Sequence, residues 1–337
     1  MKKALTIITT LILAVAMCLS FTACDGSNVG GNVINKQGIK YRLNKGEYTV
    51  TGYVAEKDFD GTLSIPAEVD GKPVTAIKEG AFSGNSNIVN LTVPTSVTEI
   101  GAKAFAGMTK LATLTIPFVG KSAVAYNAER TLGYTFSAES YKEGVMVSGN
   151  YNPDASALNN YYLPKTLATI NVAPAAEYNL PAYAFDGVRY VNNITLNNFV
   201  KTIGDAAFRN CENLLAVEGM ENATEIGASA FENCKRLAEV ELGANLTRIG
   251  ASAFKGVKVA TIVIPDAVVY VGNYAFAEMT ELVNVTFGAG YTEILQYTFK
   301  DCTALVTVTS QYVEWVAPNA FYGCNESLKT NFPLIAE

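Results

Sequence analysis

The 337-residue chain has no histidine and a single tryptophan, and only 17% of its residues are Asp, Glu, Lys or Arg. Without imidazole there is no Ser-His-Asp triad, no Cys-His dyad and no histidine-ligated metal. Basic side chains are outnumbered by acidic ones, 25 to 31, for a net charge of −6. That balance argues against a nucleic-acid partner, whose affinity rests largely on Lys and Arg at phosphates. The six cysteines show no CxxC spacing, so no zinc site is expected, and no other cofactor is implied. Apolar side chains are abundant, at 49% of residues, enough for a large core.

The first residues read as an export address. Met1-Lys2-Lys3 is basic, Ala4 to Leu19 is almost wholly apolar, and Phe21-Thr22-Ala23-Cys24 ends the run with small residues before a cysteine. That order predicts a signal peptide over 1–23, resembling that of a bacterial lipoprotein, with Cys24 acylated as the mature N-terminus. Two acyl chains suffice for stable membrane anchoring. Residues 24–38, rich in Gly, Asn and Ser, read as a flexible tether. No second long apolar run follows, so the rest is expected outside the membrane.

A repeat of about 23 residues dominates the remainder. Its marker is a phenylalanine, usually after alanine and with Ile-Gly four or five residues upstream: Phe82, Phe105, Phe185, Phe208, Phe231, Phe254, Phe276, Phe299 and Phe321. Successive markers lie 22 or 23 residues apart, except for 80 between Phe105 and Phe185. Counting each Phe as zero, apolar residues recur at +6, +9 and +11, often with proline at +12, as in Leu111, Leu114, Ile116 and Pro117. The alternation around +9 to +11 has the period of a half-buried strand, and the proline ends it. A second short strand, as in Val97 to Ile100, closes each unit, and the Ala-Phe segment suits one helical or 3₁₀ turn. One such unit cannot bury its apolar face alone, so the units must stack with Phe on Phe and Leu on Leu. The predicted fold is a repeat solenoid of parallel β-strands over residues 74–337, with a β cap over 39–73 protecting its open end. The long gap is read as an irregular insertion at about 118–180. Within it, Leu132 to Phe136 mimics Ile-Gly-x-x-Ala-Phe, and Leu158-x-x-Tyr161-x-Leu163-Pro164 matches Leu111-x-x-Leu114-x-Ile116-Pro117. Loops are expected chiefly at 138–157 and 171–178.

The composite Ile-Gly-x-x-Ala-Phe-x-x-Cys-x-x-Leu-x-x-Val resembles the leucine-rich repeat of BspA-like bacterial surface proteins over about Gly71 to Leu328. The resemblance implies a right-handed leucine-rich-repeat coil, an exported or surface location, and adhesion to host matrix proteins or to other bacteria. It brings no catalytic residues.

Cys211, Cys234, Cys302 and Cys324 all stand at +3, where other copies carry Met108, Val188, Val257 and Met279. A slot that accepts Met and Val calls for a compact apolar filler. Stacked coils would also bring Cys211 and Cys234 within disulfide reach, so thiol and disulfide both remain open. Ser252 to Lys255 matches SxxK, but the repeat consensus explains it. Asp58 to Gly61 is a calcium-loop fragment without its remaining ligands. Nine of the 18 tyrosines lie between Phe118 and Tyr190, and tyrosine favours interfaces. Tyr126, Tyr134, Tyr141 and Tyr151 form the candidate binding loop, with Tyr141 and Tyr151 expected to be the most exposed. The expected function is non-catalytic: a lipid-anchored, extracytoplasmic protein that adheres to a host-matrix or bacterial-surface macromolecule. Glycan capture and envelope spacing are the alternatives. Deleting 138–157 is expected to spare the fold.

Overall fold

The computed structural model describes residues 33–149 and 159–330; Cys24, Tyr151 and the signal sequence lie outside the described residues. A regular coil gives one short strand to each of two parallel sheets and one turn to a column of phenylalanines. The first sheet runs through Thr62–Ser64, Asn90–Thr92, Thr113–Ile116, Thr169–Val172, Asn193–Leu196 and Ala216–Glu218, all parallel. It resumes with Thr261–Ile264, Asn284–Phe287, Thr307–Thr309 and Lys329–Thr330. Solenoid pairing therefore begins at Thr62, ahead of Val74. The second sheet pairs Lys72–Ile77 with Glu99–Ile100, and further on joins Tyr178–Leu180 to Val200–Ile203, Glu225–Ile226, Arg248–Ile249 and Tyr270–Val271. Where one sheet is cut, the other carries through. The second breaks after Ile100 while the first joins Thr113–Ile116 to Thr169–Val172. The first breaks at 239–242 while the second joins Glu225–Ile226 to Arg248–Ile249.

At the N-terminal side, Val33–Lys36, Ile39–Asn44 and Glu47–Tyr53 form an antiparallel meander whose last strand pairs parallel with Lys72–Ile77. The stretch read as a tether is thus structured from Val33 onward. Gln37 and Gly38, both at positive φ, make the two-residue turn that lets Lys36 pair with Ile39. Ile39, Tyr41, Tyr48 and Val50 join the same core as the repeats.

The phenylalanine segments are not helical. Residues two before and two after the ring take left-handed conformations: Ala206 and Asn210 around Phe208, Ser229 and Asn233 around Phe231, Tyr297 and Asp301 around Phe299. Such a residue at every fourth position breaks a helix into tight turns. In exchange, alternate N–H groups point along the solenoid axis. Those of Ala206, Phe208 and Asn210 donate to the carbonyls of Ala228, Ala230 and Glu232 in the next coil, at 2.7, 2.8 and 2.8 Å. The turn column is thereby hydrogen-bonded like a third sheet.

Close stacking also explains the recurrent Gly before each turn. A Cβ on Gly204 would stand 2.5 Å from the backbone nitrogen of Ala182 in the preceding coil. From Phe185 to Phe321 the rings stack with centroids 5.0 to 5.7 Å apart and planes within 17°. All nine marker rings are buried except Phe321, which is half-buried in the last described turn. The four +3 cysteines are free thiols. Each donates its S–H to the phenylalanine carbonyl one coil back, Cys211 to Phe185, Cys234 to Phe208, Cys302 to Phe276 and Cys324 to Phe299, at 3.0 to 3.2 Å. Burial pushes the Cys211 and Cys234 thiols up, as suits a core filler.

Candidate functional site

The irregular stretch departs from the expected register. Phe136 does take the marker position, with its ring 5.9 Å from Phe105, and the Phe105 N–H donates to Thr135 at 2.9 Å. The +6, +9 and +11 positions, however, belong to Leu167, Ile170 and Val172, because Ile170 pairs with Leu114 and Val172 with Ile116. Asn171 is therefore a strand residue rather than loop, and its Nδ2 donates to Thr115 at 3.0 Å. Tyr161 and Leu163 sit instead in an antiparallel hairpin, Gly144–Gly149 against Asn159–Pro164, with Val147 opposite Tyr161. Two stretches in this region carry the same apolar spacing, and only cross-coil pairing separates them.

The hairpin is seated on the solenoid by its buried side chains Val147, Tyr161 and Leu163. Deleting 138–157 would remove the buried Val147 and one hairpin strand, so a loss of stability is the expected outcome of that deletion. Its backbone runs against the next coil: a Cβ on Gly149 would stand 2.8 Å from the Asp186 carbonyl. The repeat glycine Gly133 has a new task here. In regular coils this glycine meets backbone, whereas a Cβ on Gly133 would stand 2.5 Å from the Tyr161 ring. Tyr161 thus lies against the Phe136 coil in the space the missing side chain leaves. Leu132–Thr135 and Asn127–Arg130, just before it, are the two 3₁₀ turns of the described chain.

Between these turns, the hairpin and the next phenylalanine turn lies a cleft of about 180 Å³. It is lined by Tyr134, Tyr161 and Tyr183, with Thr131, Asn160 and Asp186 as the other polar residues. Asp186 is 3% exposed and is held by Arg209 through both oxygens, Nε at 3.0 Å and Nη2 at 2.7 Å. This two-pronged bond raises the Arg209 pKa further, and fixes the carboxylate geometrically. The Arg130 and Arg209 guanidinium carbons lie 5.6 and 5.4 Å from the centre of the Tyr183 ring. Burial pushes the Tyr161 hydroxyl well up, so it stays protonated at any physiological pH.

Of the four tyrosines read as a binding loop, Tyr126 is 70% exposed and Tyr134 lines the cleft. Tyr141 is half-buried rather than exposed, because its ring lies against Tyr162 at 6.5 Å and its hydroxyl donates to the Tyr162 carbonyl at 3.4 Å. From sequence, Tyr161 is a strand position of the damaged repeat rather than a cleft residue, and no site role falls to Tyr183, Asp186 and Arg209. A signal existed for the last two, since they stand at +1 in adjacent repeats with opposite charge. Glu232 and Lys255 repeat the pattern at 3.5 Å. Lys255 is thus committed to Glu232 and Glu278, which disposes of the SxxK reading. The Asp60 carboxylate accepts the Thr62 N–H at 2.8 Å, as in an ordinary turn. Among the described residues, no three His, Cys, Asp or Glu side chains cluster to hold a metal, and no helix is long and apolar enough to cross a membrane.

No curated protein matches the chain significantly. Solved structures do. A leucine-rich cell surface protein of Faecalibacterium prausnitzii is 18% identical, with 89% of this chain and 88% of that chain covered and a TM-score of 0.37. A leucine-rich repeat protein of Bacteroides ovatus is also 18% identical, with coverages of 87% and 92% and a TM-score of 0.41. The pneumococcal vaccine antigen PcpA is 15% identical, with coverages of 89% and 93% and a TM-score of 0.35. The model of the BspA-type leucine-rich repeat region matches residues 54–132, 154–282 and 248–334 in six copies. It skips 133–153, where the hairpin begins. Coil stacking, register and this match agree: the chain belongs to the BspA-type leucine-rich-repeat family.

Proposed function

We propose that the chain is an exported, non-catalytic binding protein, anchored through a lipid on Cys24 and adhering to a macromolecule of the host matrix or of another bacterial surface. The observation that carries this reading is the seated hairpin. It interrupts the second sheet without loosening the array, and builds a preformed tyrosine-lined surface on a rigid scaffold, where binding function concentrates. Its buried carboxylate, Asp186, is committed to Arg209, which makes it a structural group rather than an acid or base. The basic, apolar, small-residue order of 1–24 supports export and lipidation, and the family match supports a repeat scaffold used for recognition.

Because residues 138–157 include core, point substitutions make the cleaner test. Tyr126 and Met146 are 70% and 51% exposed, so Tyr126→Ser with Met146→Ser should leave the unfolding transition unchanged. Binding of the purified protein to immobilised host-matrix extract or to bacterial cells should fall about tenfold. Undiminished binding would exclude the insertion as the contact surface, and no binding at all by the unaltered protein would favour a spacer. Replacing Cys24 with Ser should release the protein from the membrane fraction; persistent attachment would refute lipid anchoring.

A further inference from the structure

We propose that the cleft between the hairpin and the solenoid is an anchor pocket, which takes one uncharged, ring-sized apolar side chain, phenylalanine or leucine, from a protein partner. The inference rests on the binding reading above and narrows it to a partner chemistry.

Size comes first. A cavity of about 150 Å³ lined by apolar side chains holds a benzene ring, and this cleft measures about 180 Å³. One side chain fits, and a helix or strand does not. Charge comes second. The charged side chain in the lining is Asp186, and each of its oxygens already accepts a hydrogen bond from Arg209. The Arg130 and Arg209 guanidiniums beside the Tyr183 ring would repel a bound cation. An anion would meet the Asp186 carboxylate. A neutral group meets neither penalty.

Polarity separates a side chain from a sugar. A pyranose brings about five hydroxyls, each costly to bury without a partner. Three tyrosines and two glycines, Gly133 and Gly149, make up half of the lining. Besides the tyrosine hydroxyls, the neutral polar side chains are already engaged, Thr131 donating to the Ala128 carbonyl at 2.9 Å and Asn160 accepting from Ser148 at 2.8 Å. A phenyl or isobutyl group instead gains from every wall, by edge or face contact with the rings. Preorganisation strengthens the case. Tyr161 is placed by the space above Gly133 and by its pairing with Val147, and Tyr183 lies beside two arginines. Little side-chain freedom remains to be lost on binding, which is the setting in which one buried anchor dominates an interface.

The test uses ligand-observed saturation-transfer NMR on the protein from residue 25 onward, with N-acetylphenylalaninamide, N-acetylleucinamide and methyl glucoside as separate probes. Ala138 is exposed at the cleft and lines it, so Ala138→Trp should plug the opening and Ala138→Ser should not. The phenyl and leucyl probes should receive saturation from the unaltered protein and from Ala138→Ser, and lose about fivefold or more in Ala138→Trp. Asn160→Trp, at a second exposed lining position, repeats the test if the first tryptophan variant misfolds. No signal from either amide, signals indifferent to both tryptophans, or a stronger signal from the glucoside would each overturn the proposal. Amide binding without any capture of cells or matrix would retain the pocket and sink adhesion; capture without amide binding would do the reverse.

Discussion

The coils from Phe185 to Phe321 and the stretch from Phe105 to Phe185 solve one packing problem in two ways. In the first, each ring meets an equivalent ring one coil away, nearly coplanar, as between Phe231 and Phe254 at 5.2 Å and 1°. In the second, Phe105 and Phe136 meet at 60°, and the side chain that fills the space above Gly133 is Tyr161 from the hairpin. Equal neighbours allow equal geometry, so the regular coils need only repeat themselves. A copy with unequal neighbours must import a side chain from elsewhere, and the hairpin that supplies it also creates the cleft. The irregularity is therefore where this fold acquires its tyrosine-lined cleft.

Three measurements probe that contrast. The largest effect is expected at the stack. Phe231→Ala leaves a void between two stacked rings and should cost about 3–5 kcal/mol in denaturant unfolding, whereas Phe136→Ala should fall at or below the low end of that range. A larger loss at Phe136 would reverse the comparison. Next come the glycines. Gly204→Ala forces two backbones apart, and Gly133→Ala forces a ring aside, each costing about 1–3 kcal/mol. Adding Tyr161→Leu should recover much of the Gly133→Ala loss and none of the Gly204→Ala loss. Equal recovery, or none, would show that Tyr161 does not occupy that space. The smallest effect concerns Glu143, whose carboxyl is held below its ordinary pKa, first by the hydrogen bond from Lys165 and then by that charge. A lowered folded pKa stabilises above the unfolded value of about 4.3, and the contribution is lost as pH falls through the folded value. Glu143→Gln should slightly lower the unfolding midpoint at pH 7 and converge with the unaltered protein in acid. A gap that widens on acidification would contradict the pairing.

Much of the array was legible because a stacked unit carries its own evidence: the Phe, Leu and Pro positions recur at nearly constant spacing, and their common burial follows. The +3 cysteines were legible as fillers for the same reason, since Met108 and Val257 share the slot. Three readings fail on local grounds. The Ala-Phe segment suits a helical or 3₁₀ turn, but alternate N–H groups are spent on the next coil, which a single unit of sequence does not display. The Gly, Asn and Ser content of 24–38 suggests a longer tether than there is, because Gln37-Gly38 is a hairpin turn between paired strands. Tyr141 was expected to be exposed because its position in an insertion says nothing of Tyr162 lying against it.

By itself the chain's order of residues determined that units of about 23 residues must stack, because an apolar face repeated at fixed intervals has no other way out of water. Tertiary structure alone decided which of two equally spaced segments enters the first sheet, and where the other goes. Strand pairing is a relation between coils, and the hairpin, the seat of Tyr161 and the cleft all follow from which partner Ile170 finds.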